Sequence, residues 1–267
     1  PARAGRGQRG CAADVGKTHG MAGMNPMVCI FKDPEQLSLG AAEIFVERAA
    51  RAITERGRFL VALNGGGTPN RLFRLLVREP IDWTRVHVFW GDERLVPPED
   101  PESSYGQARA ALLKHVPIPI ENVHRIASDL EPATAAMDYA RLLKEFATPP
   151  LDWPRFDLVL LGMGEDGHTA SLFPGSPVDM TEPVIAVTAH YQDRPAQRIS
   201  LTPLVFNAAR HVVFLVTGTN KATTLTGVFN EYHSLEQYPV KRIQPSDGKV
   251  TWLVDDAAGS ALTTPHP

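Results

Sequence analysis

The densest collection of reactive side chains lies in Phe156–Gly175, FDLVLLGMGEDGHTASLFPG, where an apolar run gives way to Glu165, Asp166 and His168 among three glycines. Asp157–Leu161 has no polar alternation, which suits a central parallel strand covered on both faces. Gly162, Gly164 and Gly167 allow backbone conformations closed to other residues, so the acids and the histidine can be presented at the carboxyl end of that strand. The same letters satisfy G-x-G-x-x-G. A dinucleotide site needs a long helix from its third glycine, whereas Pro174-Gly175 would stop any helix here after about two turns. Bare turns seldom gather Glu, Asp and His together, so a functional role is expected.

Three further stretches follow the same pattern. Phe59–Leu63 runs into Asn64-Gly65-Gly66-Gly67-Thr68-Pro69, and Leu72, Phe73, Leu76 and Val77 then mark one face of a helix. Thr68 is a suitable N-cap and Pro69 suits the first helical position, so free amides of the loop and first turn would converge on one point. Such a point attracts phosphate. No Lys-Ser/Thr follows at P-loop spacing, so a phosphorylated small molecule is expected rather than a nucleoside triphosphate. A glycine-rich connection without a ligand is the alternative. Val86–Trp90 ends in Gly91-Asp92-Glu93-Arg94, which is either part of a site at the strand ends or a solvated ion pair or cap. Val212–Val216 leads to Thr217-Gly218-Thr219-Asn220-Lys221 and a helix through Phe229. Lys221 at a helix start opposes the dipole unless an anion lies nearby.

These loops must be carried by an alternation of helices and strands. Helical spacing is found at Gln36–Arg56, closed by Gly57, and at Tyr105–Lys114 and Ala133–Phe146. Strands are expected at Val123–Ile126, Val184–Thr188, Gln197–Thr202 and Val250–Val254, with a last short helix at Asp256–Leu262. The expected fold is a three-layer, doubly wound α/β domain, Rossmann-like, with a mostly parallel sheet. A single domain over residues 24–267 is expected. Residues 1–23, rich in Gly, Ala and Arg without hydrophobic period, read as a disordered or expression-derived extension.

The 267 residues, 43% hydrophobic and 21% charged, have the composition of a soluble globular chain. A net charge of −3 offers no footprint for nucleic acid or an anionic membrane. No apolar run approaches the ~18 residues of a membrane span. Cys11 and Cys29 lie outside every motif, so no disulfide framework is expected and a reducing, cytoplasmic setting is. The scattered histidines His87, His115, His124, His190, His211 and His233 show no ligand spacing, so no metal or other cofactor is expected. The sequence does not fix an oligomeric state, and a monomer is the expectation.

LNGGGTP at Leu63–Pro69, WGDERLVP at Trp90–Pro97, LGMGEDGHTASLFPG at Leu161–Gly175, and QRISLTP with AARHVVFLVTGTNKA between Gln197 and Ala222 resemble the signatures of the 6-phosphogluconolactonases, in that family's order. The resemblance runs from about Phe31 to the C-terminus. It implies hydrolysis of 6-phospho-D-glucono-1,5-lactone to 6-phosphogluconate, the second step of the oxidative pentose phosphate pathway. It also implies a small sugar phosphate as partner. His168 would be the base, with Asp166 orienting it; Gly66, Gly67 and Thr68 would hold the phosphate with Arg198 and Lys221. Asp92 and Arg94 would contact the sugar ring or its carbonyl, although Arg94 could equally fix its loop through Glu93. The related glucosamine-6-phosphate isomerases and deaminases share the fold but place a glutamate five residues after the histidine, where this chain has Phe173. Ser104 stands where many lactonases carry asparagine and can still donate a hydrogen bond. A sugar-phosphate isomerase or deaminase, a non-catalytic sugar-phosphate sensor and a nicotinamide enzyme are the alternatives.

Overall fold

The computed structural model describes residues 27–191, 194–230 and 232–262, so the expected extension at residues 1–23 lies outside the described residues. The first half of the chain runs β1 (Met27–Phe31), α1 (Pro34–Arg56), β2 (Phe59–Leu63), α2 (Gly67–Leu76), β3 (Val86–Trp90), β4 (Asp92–Arg94), α3 (Ser104–Ala111), β5 (Val123–His124) and α4 (Pro132–Glu145). The second runs β6 (Leu158–Leu161), β7 (Val184–Thr188), β8 (Gln197–Leu201), α5 (Pro203–Phe206), β9 (His211–Val216), α6 (Ala222–Phe229) and β10 (Lys249–Asp255). No helix of the described residues is long and apolar enough to cross a membrane.

Seven strands form one parallel sheet in the order β1-β10-β9-β6-β2-β3-β5. The continuous apolar runs of β2, β6 and β9 are buried at every residue, as central parallel strands require. From β2 the chain steps outward to β3 and β5, then returns to the other side of β2 and proceeds through β6, β9 and β10. The order therefore reverses between β2 and β6. In open α/β sheets the crevice beyond the carboxyl ends of the strands at such a point is where ligands bind.

α1 shows how local chemistry sets an element. Asp33 caps it by accepting the Gln36 N–H at 2.8 Å, Pro34 sits in its first turn, and Gly57 ends it at φ 74° with its N–H on Ile53 O at 2.9 Å. Leu37, Ala41, Phe45, Ala49 and Ala52 form its buried stripe, and Phe45 meets Phe59 of β2 edge-on at 5.2 Å. The buried hydrophobic residues form one continuous core.

Three features depart from expectation. β4, β8 and β7 make a separate antiparallel sheet, so the stretch after β3 is a strand rather than a loop. Its residues Asp92, Glu93 and Arg94 are all buried, and no apolar pattern announces them. Asp256–Leu262 forms turns instead of a helix: the Asp255 carboxylate takes the Ala258 N–H at 2.8 Å, and the Leu262 N–H closes back on Gly259 O at 2.9 Å. Cys29, buried on β1, is disulfide-bonded, against the expectation of no disulfide; Cys11 lies outside the described residues.

Replacing Asp33 with Ala removes the α1 cap and is expected to cost about 1 kcal/mol. Urea denaturation of Asp33→Ala beside the parent chain measures this, and an unchanged midpoint would show that the cap contributes nothing.

Candidate active site

Two loops leave the sheet at the switch point. The one after β6 forms no helix, so the nucleotide-binding geometry is absent altogether. Instead Gly164 N–H donates to His168 O at 2.8 Å, and Gly167, at φ 81°, donates to Gly164 O at 3.2 Å. This tight turn folds Asp166 onto His168. Asp166 Oδ1 accepts from His168 Nδ1 at 2.6 Å and from its backbone N–H at 3.1 Å. Gly164 has to be glycine, since a Cβ there would lie 2.0 Å from His168 Nδ1 and 2.5 Å from Asp166 Oδ1. The imidazole packs at 4.5 Å from the Phe173 ring and 4.7 Å from that of Tyr191. Thr169 Oγ1 donates to Gly162 O, and Ser171 Oγ donates to Asp92 Oδ2, both at 2.8 Å, so the loop is tied to β6 and β4.

Burial alone would raise the Asp166 carboxyl, but the hydrogen bonds and charge of His168 outweigh it and hold it below the usual carboxylate range. A depressed folded pKa means that the pair stabilises the fold fully above the unfolded value of about 4 and that this contribution is lost as pH falls through the lower folded value.

The small sheet supplies the second wall. Asp92 lies opposite Ser200 and Arg94 opposite Arg198, so alternation puts all four on one face and Glu93 on the other. Arg94 is 8% exposed and Arg198 2%. Like charges directly opposed across strands are destabilising. Arg94 Nη1 donates to Glu102 O at 2.6 Å and Arg198 Nε to Pro195 O at 3.1 Å, while Arg94 Nε and Arg198 Nη2 stay buried without an acceptor among the described residues. Burial and then the Arg94 charge lower the Arg198 pKa. Glu93 takes the amides of Arg94, Ser104 and Tyr105 at 2.7–2.8 Å and so anchors the first turn of α3. Burial raises its carboxyl despite those bonds. The N-cap of α3 is Ser103, whose hydroxyl takes the Gly106 N–H at 3.0 Å, and the Glu93 carboxylate binds the amides around it. Asp92, 5% exposed and holding Ser171, is committed to the His168 loop rather than facing open space.

The glycine loop after β2 is built differently from expectation. Gly66, at φ 126°, is the N-cap of α2, and Thr68 does not cap it. Thr68 Oγ1 instead meets Thr217 Oγ1 at 2.8 Å, which fastens the loop to the end of β9. The Gly66 amide is already taken by Gln107 Oε1 at 2.9 Å. Lys221 stands at the N-terminus of α6, and the anion its position calls for is at least partly internal: Glu165 Oε1 lies 4.0 Å from Nζ and accepts Asn220 Nδ2 at 2.6 Å. Burial lowers the Lys221 pKa, Glu165 and Asp166 oppose this, and Arg194 adds to it. The Arg194 charge also lowers the Arg198 pKa.

Asn64, Gln107, Tyr191 and Arg194 are site neighbours that the motifs do not single out. Asn64 had a signal, a polar residue at a strand end. It is 5% exposed, its Oδ1 has no partner among the described residues, and a Cβ on Gly91 would meet it at 2.3 Å. Tyr191 and Arg194 carry no sequence signal. No group of three His, Cys, Asp or Glu side chains suited to a metal occurs among the described residues.

Gly164→Ala is expected to part Asp166 from His168 while the fold persists. NMR titration of the Asp166 carboxyl should then move up toward about 4, and the stability difference from the parent chain should shrink below that pH. A carboxyl that still titrates low would mean that His168 is not what lowers it.

Residues 32–252 match the family described as glucosamine-6-phosphate isomerases/6-phosphogluconolactonase. A 6-phosphogluconolactonase of Nostoc sp. is 38% identical over 242 residues, covering 90% of this chain and 100% of the relative. One of Rattus norvegicus is 37% identical over 246 residues, covering 90% of this chain and 95% of its own. The solved 6-phosphogluconolactonase from Trypanosoma cruzi superposes with a TM-score of 0.80 at 30% identity, over 92% of this chain and 100% of that one. With its switch-point crevice and four strand-end motifs in place, the chain belongs to the glucosamine-6-phosphate isomerase/6-phosphogluconolactonase family.

Proposed function

We propose that this protein hydrolyses 6-phospho-D-glucono-1,5-lactone to 6-phospho-D-gluconate in the pentose phosphate pathway. The observation that carries this is the end-to-end match to relatives named 6-phosphogluconolactonase. The chemistry of the crevice supports it. A lactone carbonyl is already electrophilic, so hydrolysis needs a base for water, donors for the oxyanion and a clamp on the phosphate, with no covalent nucleophile.

In this reading His168 is the base. With Nδ1–H donating to Asp166, the lone pair resides on Nε2, which takes a proton from water as the oxygen attacks C1. The tetrahedral oxyanion collapses, the bond from C1 to the ring oxygen breaks, and the imidazolium returns its proton to that oxygen. Asp166 fixes the tautomer and balances the transient positive charge. Asp92 positions His168 by bracing its loop through Ser171. Arg198 and Lys221 clamp the phosphate together with the Gly66–Thr68 loop, and Arg94 lies beside Arg198 at the sugar.

The isomerase or deaminase reading needs a second acid–base group for transfer of a carbon-bound proton. Phe173 stands at the position where the resemblance leads one to expect that group, with its ring against His168. Ammonia release from glucosamine 6-phosphate would overturn the lactonase reading.

The deciding assay is hydrolysis of freshly generated lactone, coupled to 6-phosphogluconate dehydrogenase and corrected for spontaneous opening. His168→Ala is expected to lower kcat by about 10²–10⁴-fold. Arg198→Ala is expected to raise KM for the phosphorylated lactone and leave weak turnover of unphosphorylated gluconolactone unchanged. Full turnover by His168→Ala would remove it as the base, and equal losses on both lactones would remove Arg198 from the phosphate clamp.

A further inference from the structure

The opposite edge of the main sheet carries a second concentration of charge. In a parallel sheet the amino ends of neighbouring strands lie together, and β6, β9 and β10 are neighbours. Arg155 precedes β6, Arg210 precedes β9, and Lys249 begins β10. The last turns of α1 add Arg48, Arg51 and Arg56. These six residues line one cavity of about 530 Å³ with the carboxylates of Glu55, Asp157 and Asp247. The cavity thus holds three more cations than anions, in a chain whose net charge is −3.

The three carboxylates are already engaged. Asp157 accepts Arg56 Nε and the Leu60 N–H, each at 2.9 Å, Asp247 pairs with Arg155 at 2.8 Å, and Glu55 with Arg51 at 2.7 Å. Arg210 approaches the shared Asp157 at 3.3 Å. The Arg48 Nε is buried without a hydrogen-bond acceptor among the described residues, and the Arg210 Nε, also buried, has the ion pair with Asp157 but no hydrogen bond. The surplus charge is felt by its surroundings. Burial, then the Arg155 and Arg56 charges, lower the Arg210 pKa. Behind the cavity, burial followed by Arg48 and Lys249 pushes His211 down to about 4.

Guanidinium groups present planar forks of donors that match the oxygens of a phosphate, and unpaired buried donors are costly until such oxygens satisfy them. The volume lies within the range of small-molecule pockets and exceeds what a lone ion fills. We infer that this cavity is a second anion site that binds a phosphate-bearing small molecule. Strands of four to six residues, at about 3.3 Å per residue, separate it from the crevice by roughly 13–20 Å. Occupation of one site therefore involves no contact with a ligand at the other.

The test uses inorganic pyrophosphate as probe, by calorimetric titration at constant ionic strength. To silence anion binding in the crevice, the protein is the full chain carrying Arg198→Gln and Lys221→Gln. One pyrophosphate per chain is expected to bind at millimolar concentration or below. Adding Arg210→Gln and Lys249→Gln is expected to weaken it about tenfold or more, the scale of lost charge-assisted hydrogen bonds. If that variant fails to fold, Lys249→Gln alone, at an exposed position, should lower the affinity about threefold. No binding at millimolar pyrophosphate, or an affinity unchanged in a folded variant, overturns the inference.

Discussion

The hydrogen bond from His168 Nδ1 to Asp166 rests on the bare Cα of Gly164, and most of the surrounding structure can be read as holding that arrangement still. A two-residue separation brings the side chains together only in a tight turn, and a tight turn at a strand end is held weakly by its own backbone. The bracing comes from outside. Ser171 is fastened to Asp92, Thr169 to Gly162 O, and the carbonyl of Gly167 receives the Val240 N–H. Tyr238 packs so closely on Gly167 that a Cβ there would lie 2.4 Å from its ring. Contacts between residues 71 to 79 positions apart in sequence thus fix a pair only two apart.

This dependence explains what could be read from the sequence and what could not. The strands β2, β3, β6 and β9 were legible because largely buried parallel strands are short, mostly apolar and lead into glycine, and each was expected within a residue or two of its observed bounds. The site-bearing loops were legible because their residue types are improbable in plain turns. β4 was not, because three charged residues in a row give no strand signal, and they are buried by partners on β8 and α3 that lie far along the chain. Thr68 is the instructive error. Local capping preference makes it the N-cap of α2, yet its hydroxyl is recruited by Thr217, across 149 residues, and the cap falls to Gly66.

Electrostatics distinguishes the two edges of the sheet from the rest of the molecule. On the carboxyl side Arg94 and Arg198 face each other across two strands, an arrangement that costs stability unless something negative relieves it. Glu102 relieves it in part, with its backbone oxygen on Arg94 at 2.6 Å and its charge favouring the Arg198 cation. On the amino side, Asp157 divides its attention between Arg56 and Arg210. Strain of this kind, concentrated where strands end and absent from the core between them, is what functional sites impose on a stable scaffold.

The contact between His168 and Phe173 bears on the kind of reaction the crevice can support. An aromatic ring at 4.5 Å shields one side of the imidazole from water and cannot accept or relay a proton. Tyr191 closes another side at 4.7 Å, and burial raises its phenol further from the neutral range. The carboxylate hydrogen-bonded to the ring, among the described residues, is that of Asp166, at Nδ1. A single imidazole with one oriented carboxylate is enough to deprotonate water and return the proton to a leaving oxygen. Shuttling protons between carbons of an amino sugar requires a second titrating group at the same place, and the aromatic walls occupy the ground where it would stand.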